Sequence, residues 1–186
     1  MKIAIFDTET TGLLKPSPAP LEQQPEIIEF YSCVIDEDFN LIRELETLIK
    51  PSIPKLPDII PKITGITDDM LIGQPSFLDV YPDLARFMTG VDMIVAHNLE
   101  FDAQMMANEL LRIGKLIQFP WPRHHVCTVV KSIGVRGHRL KLSDLYEEAT
   151  GKEFKDAHRA KQDVRGLFAG FRFLVQKGYV NFKDYQ

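Results

Sequence analysis

Lys2-Ile3-Ala4-Ile5-Phe6-Asp7-Thr8-Glu9-Thr10-Thr11-Gly12-Leu13 opens the chain. An apolar run rich in β-branched residues, ending in polar residues and a glycine, reads as a buried strand entering a turn. Alternate side chains of a strand share a face, so Asp7 and Glu9 project together while Thr8 points the other way. Two carboxylates about 4 Å apart repel by roughly 4 kcal/mol at an effective dielectric of about 20. A divalent cation would offset that repulsion; the alternative is a plain solvated strand end.

Outward from this strand, Leu14 to Pro25 carries Pro16, Pro18, Pro20 and Pro25, a density that predicts an irregular surface loop beside the Asp7/Glu9 edge. Glu26 to Ile35 and Phe39 to Ile49 read as two more strands joined by a turn at Asp36-Glu37-Asp38. Pro51 to Pro61 reads as loop, and Thr67 as the N-cap of a helix. From there the pattern alternates. Ser76 caps a helix to Met88, and Val91 to Ala96 is a short strand. Asn98 caps a helix from Leu99 to about Arg112, and Val126 to Val130 is a strand passing into a short helix. Leu142 to Thr150 is helical up to Gly151, and a last helix runs from about Arg159 to Gln176, stopped by Gly178. Three strands in succession, then strand–helix alternation, predict an α/β fold. Its mixed sheet would have three antiparallel strands followed by parallel ones, flanked by helices, in a single domain over 1–186.

The other candidate residues sit where such a sheet binds ligands. His97-Asn98-Leu99-Glu100-Phe101-Asp102 joins a strand end to a helix start. Asp102 falls in the first helical turn, which favours an ionised carboxylate whether or not it has a function. Asp163 lies at the edge of the apolar stripe formed by Ala160, Val164, Leu167, Phe168, Phe171 and Leu174, where a carboxylate needs a partner. His158 precedes that helix and titrates near neutral pH when unperturbed. Arg123, Lys131, Arg136, Arg139 and Lys141, interspersed with His124, His125 and His138, form the densest positive stretch, either a track for a polyanion or a solvated loop.

The formal charge of −4 does not advertise a nucleic-acid binder, although clustered metal ligands would account for much of such an excess. Cys33 and Cys127 belong to no CxxC, so neither a zinc thiolate site nor a disulfide framework is expected. Without a membrane-length apolar run or a signal-peptide pattern, the expected setting is cytoplasmic, with no membrane partner.

Three segments carry a family resemblance: Phe6-Asp7-Thr8-Glu9-Thr10-Thr11-Gly12-Leu13, His97 to Asp102, and His158-Arg159-Ala160-Lys161-Gln162-Asp163. Together they resemble the exonuclease motifs of the DEDDh (DnaQ-like) 3′→5′ exonucleases, the family of the proofreading subunits of bacterial replicative polymerases. The resemblance implies an RNase H-like fold. It also implies release of nucleoside monophosphates from the 3′ end of single-stranded or frayed DNA, with two Mg²⁺ or Mn²⁺ ions per site. The alternative is an exoribonuclease that trims RNA 3′ ends or degrades short oligoribonucleotides. By the same resemblance Asp7, Glu9 and Asp163 hold one metal, Asp7 bridges to a second beside Asp102, and His158 is the general base. Leu13 wedges against the last base, Thr10 and Asn98 lie near the terminal nucleotide, and Phe101 lies beneath it. A DNA polymerase is the implied partner, while the C-terminal Phe182-Lys183-Asp184-Tyr185-Gln186 shows no clear clamp-binding motif. Two departures stand out: Thr64 replaces a histidine that relatives place near the 3′ nucleotide, and the Lys15–Gln24 loop is long enough to gate or widen the entrance.

Overall fold

Alternation in the first strand sets the layers. In the computed structural model, which describes residues 1–155 and 159–185, strand β1 (Ile3–Thr10) is the centre of a five-stranded sheet. It pairs antiparallel with β2 (Ile27–Ile35), which pairs antiparallel with β3 (Leu41–Leu48). After β3 come two single-turn helices, α1 (Ile60–Thr64) and α2 (Asp68–Leu71), and then α3 (Phe77–Met88). On the other side of β1 lies β4 (Met93–Ala96), followed by α4 (Leu99–Arg112) and β5 (His124–Cys127), with β1, β4 and β5 parallel. Helices α5 (Thr128–Lys131), α6 (Ile133–Arg136), α7 (Leu142–Thr150) and α8 (Ala160–Gln176) complete the order. The strand order is β3-β2-β1-β4-β5, the expected mixed sheet.

The even residues of β1, Ala4 and Phe6, join a core with Leu84 of α3 and Met106 of α4. The odd residues, Ile3 and Ile5, pack with Leu145 of α7 and Val164, Leu167 and Phe171 of α8. The sheet is therefore covered on both sides, as its parallel half requires. A smaller cluster of Ile28, Leu56, Ile60, Ile66 and Leu71 closes the end beneath α1 and α2. Among the described residues no helix is long and apolar enough to cross a membrane.

Several local expectations need correction. Pro61 does not belong to a loop: it is the second residue of α1, because proline fits the first helical turn, where its missing N–H is not needed. Thr67 stands at the N-cap of α2 without a side-chain cap bond, whereas Ser76 and Asp79 form a full capping box on α3. Strand β5 begins at His124, two residues earlier than its apolar pattern suggests, because register with Met93–Ala96 defines it. The Pro-rich loop contains a short 3₁₀ turn at Leu21–Gln23. It is bound to α4: Arg112 Nη2 donates to the carbonyls of Leu21, Gln24 and Pro25 at 3.1, 2.8 and 3.0 Å. Glu109, buried, orients that guanidinium and also accepts the Ile27 N–H at 2.9 Å. The held loop and the Glu100, Gln104 and Asn108 face of α4 enclose a cavity of about 580 Å³ next to Leu14.

Close approach of α7 to α8 depends on Gly170, where an added Cβ would lie 2.8 Å from the buried Leu145 side chain. Alanine in place of glycine within a helix gains at most about 1 kcal/mol of propensity. Overpacking a tight contact costs about 1–3 kcal/mol. Gly170→Ala is therefore expected to lower the denaturant midpoint, and an unchanged or raised midpoint in equilibrium unfolding would refute the packing argument.

Candidate active site

The site forms where the sheet loses a strand. β4 accompanies β1 only from Ile3 to Ile5, so from Asp7 onward β1 runs past the end of β4. The odd-face rule carries Asp7 and Glu9 toward α8. There Asp163 meets them in its first turn, and one carboxylate oxygen from each of the three residues lies within 4.8 Å of the others. Asp102 arrives from α4 on the opposite side of the strand. The Thr8 hydroxyl and N–H both donate to Asp102 Oδ1, at 2.8 and 3.1 Å. Asp102 is 2% exposed and stands outside the three-residue group, yet it is the neighbouring charge that most raises Asp7.

Burial and mutual repulsion act together on these acids. Burial, then Asp102, Asp163, Glu9 and Glu29, hold the Asp7 carboxyl well above the usual carboxylate range. Burial, followed by Asp163, Glu29 and Asp102, pushes Glu9 up to about 8, and the Arg159 charge opposes the rise. Burial pushes Asp102 up to about 7 against the hydrogen bonds from Thr8. An all-oxygen donor set this crowded suits a hard divalent cation, whose charge offsets the repulsion. Asp7, Glu9 and Asp163 fit such an ion.

A cavity of about 540 Å³ joins Asp7 and Asp163 to His97, Lys141, Leu142, Ser143 and Phe154. His97 is a neutral lining residue: burial lowers it to about 4, and its Nδ1 lies 2.9 Å from the Thr128 hydroxyl. Leu13 stands at the turn after β1 with 82% of its surface exposed. Thr10 Oγ1 donates to the Gly12 carbonyl at 2.7 Å and so braces that turn. Asn98 occupies the N-cap position of α4 in left-handed backbone (φ 72°, ψ 50°) and makes no side-chain cap bond, which corrects its expected role as a cap. Asparagine tolerates that conformation better than most residues. Its exposed amide borders a second cavity with Ala103, His125 and Arg139. Phe101 is half-buried against the α3/α4 core. Thr64 is buried, its hydroxyl donating to the Ile60 carbonyl at 3.0 Å and accepting the Ile66 N–H at 3.1 Å, which closes α1.

His158 lies outside the described residues. Of the positive stretch, Lys141 and Arg139 line the two cavities, whereas Arg136 is paired with Glu148. Sequence reasoning gives Thr8, His97 and Arg159 no role of their own and passes over Glu29. Thr8 was legible as the even-face neighbour of Asp7. The others are recognised by partners far away in the chain.

The sequence matches the Exonuclease (RNase T) family over residues 4–169. It is 34% identical over 174 residues to the DNA polymerase III subunit epsilon of Treponema pallidum, covering 91% of this chain and 74% of that protein. It is also 34% identical over 161 residues to the PolC-type DNA polymerase III of Thermotoga petrophila, covering 87% of this chain but only 11% of that much longer protein. Among solved structures, the nuclease domain of 3′hExo, a DEDDh family member bound to rAMP, superimposes with a TM-score of 0.73 at 19% identity, over 95% of this chain and 92% of that one. With its sheet order, its two-sided helical cover and its clustered acids, the chain belongs to the exonuclease family, among the DEDDh, DnaQ-like 3′→5′ exonucleases.

Proposed function

We propose that the chain removes nucleoside monophosphates one at a time from the 3′ end of single-stranded or frayed DNA, using two Mg²⁺ or Mn²⁺ ions. The observation that carries this reading is the meeting of Asp7, Glu9 and Asp163 within 4.8 Å at a sheet end, with Asp102 held beside them by Thr8. Asp7, Glu9 and Asp163 would hold one ion, and Asp7 with Asp102 the other. When bound, such ions supply a more acidic attacking water and positive charge against the phosphate.

The protein's own groups do the rest. His158 takes a proton from the attacking water, whose oxygen bonds to phosphorus as the bond to the 3′ oxygen of the preceding nucleotide breaks. Leu13, held out by the braced turn, separates the terminal base from its neighbour. Phe101 gives that base an apolar floor, and the Asn98 amide faces the terminal nucleotide with Thr10 behind the turn. The names of the two polymerase relatives support a place beside a DNA polymerase.

The test is digestion of matched 5′-labelled DNA and RNA oligomers, single- and double-stranded, with Mg²⁺, with Mn²⁺ and with EDTA. A ladder shortening from the 3′ end of DNA in metal alone is expected. Preference for RNA would replace the DNA reading with the exoribonuclease one, and no shortening of either would refute both. His158→Ala is expected to lower kcat by about 10²–10⁴-fold, the usual share of general base catalysis, with little change in the metal concentration that half-activates. An unchanged kcat at saturating metal would remove His158 from the mechanism.

A further inference from the structure

Glu29 is an acid in a strand that is buried along its whole length. It is 1% exposed and stands directly opposite Glu9 in the β1–β2 register, one strand from the carboxylate cluster. Another negative charge there adds to the repulsion at Asp7 and Glu9, so its partners are informative. Both lie at the mouth of α8. The Arg159 guanidinium donates through Nη2 to Oε1 at 2.6 Å and through Nε to Oε1 and Oε2 at 3.1 and 3.2 Å. The Ala160 N–H donates to Oε2 at 3.0 Å.

Arg159 is the N-cap residue of α8, with extended backbone (φ −136°, ψ 127°) and no side-chain cap bond of its own. Glu29 does the capping from a neighbouring strand, satisfying an N–H that a helix start leaves without an intrahelical partner. The same first turn carries Asp163, whose N–H donates to the Arg159 carbonyl at 2.9 Å.

We infer that Glu29 and Arg159 are a positioning pair for the exonuclease reaction: the carboxylate of β2 clamps the start of α8 and thereby sets Asp163 against Asp7 and Glu9. This rests on the proposed nuclease reading. Neither side chain is assigned a place against substrate. Their effect passes through the segment they hold, as with outer partners of metal ligands, whose loss typically lowers activity or metal affinity about 10- to 100-fold.

The experiment compares Glu29→Gln, Arg159→Gln, Arg159→Lys and the Glu29→Gln/Arg159→Gln double variant with wild type. Glu46→Gln is the comparison, because it removes another ion pair between the first turn of α8 and the sheet, Lys161–Glu46, while leaving Glu29 and Arg159 intact. Well below each melting temperature, kcat is expected to fall about 10- to 100-fold in both single glutamine variants with KM for a single-stranded oligomer unchanged. The double variant should lose little more than either single one, because the two act as a unit. Arg159→Lys keeps the charge without the fork and should fall between wild type and Arg159→Gln. Amide hydrogen exchange over Ala160–Asp163 should accelerate in Glu29→Gln but not in Glu46→Gln. If Glu29→Gln does not fold, the half-exposed Arg159 supplies the variants that decide.

A folded Arg159→Gln with wild-type kcat would overturn the pair. So would unchanged exchange at the start of α8, or a kcat loss matched by Glu46→Gln. A wild-type chain that releases no nucleotide overturns the nuclease reading instead, and the exchange measurement still decides whether Glu29 anchors the helix.

Discussion

Asp7→Asn is expected to abolish nucleotide release and, without metal, to raise the melting temperature. The two effects have one origin. Burial and the neighbours Asp102, Asp163 and Glu9 all hold the Asp7 carboxyl well above the usual carboxylate range. A neutral amide of the same shape spares folding both that repulsion and the proton uptake it forces on Asp7, and on the proposed reading it also removes a carboxylate oxygen that would hold metal. Groups that act as a unit in catalysis lose about 10³-fold or more on removal of one member. A gain of one or two kcal/mol, by contrast, shifts the melting temperature of a chain this size by roughly 2–8 °C. Functional sites often exchange stability for activity in this way. A thermal scan in EDTA beside a labelled-oligomer assay checks both halves. Retained activity would remove Asp7 from the mechanism, and a lowered melting temperature would contradict the repulsion.

The second large effect concerns acidity. Free of metal, the protein is expected to be most stable in mild acid and to lose stability as the pH rises toward 8. Unfolded, Glu9 and Asp102 release their protons near 4.5 and 3.8. Folded, they do so near 8 and near 7. Between those limits the folded chain holds more protons than the unfolded chain, so stability falls with rising pH, and the loss is complete above the folded values. Mg²⁺ or Mn²⁺ should reverse the fall at pH 7–8, because binding to the folded state alone stabilises it. The metal should do little near pH 5, where the acids are protonated. Melting curves from pH 4.5 to 8.5, with EDTA and with excess Mg²⁺, test this. A metal-free midpoint that rises with pH, or a Mg²⁺ effect equal at both ends, would sink the account.

Much of this arrangement was legible in the sequence because it depends on periodicity. The period of two in β1 separated Asp7 and Glu9 from Thr8, and the apolar stripe of α8 placed Asp163 at its buried edge. What escaped depends on pairing across long stretches of chain. Glu29 looks like a stray acid until Arg159, 130 residues later, is seen beside it. Thr8 gains its meaning from Asp102, 94 residues away. The start of β5 is set by hydrogen bonding to β4 rather than by its own histidines. Asn98 illustrates the opposite failure: its frequency at helix caps predicts the position correctly, while its tolerance of left-handed backbone explains why it is there.

Delivery of Asp102 and Asp163 from opposite sides of one strand has a consequence for synthesis. The ribosome makes Asp7, Glu9 and Asp102 long before Asp163, and α8 can dock only after the sheet beneath it exists. On the proposed reading, a nascent or half-assembled chain holds most of the charge of a nuclease with none of its cutting power.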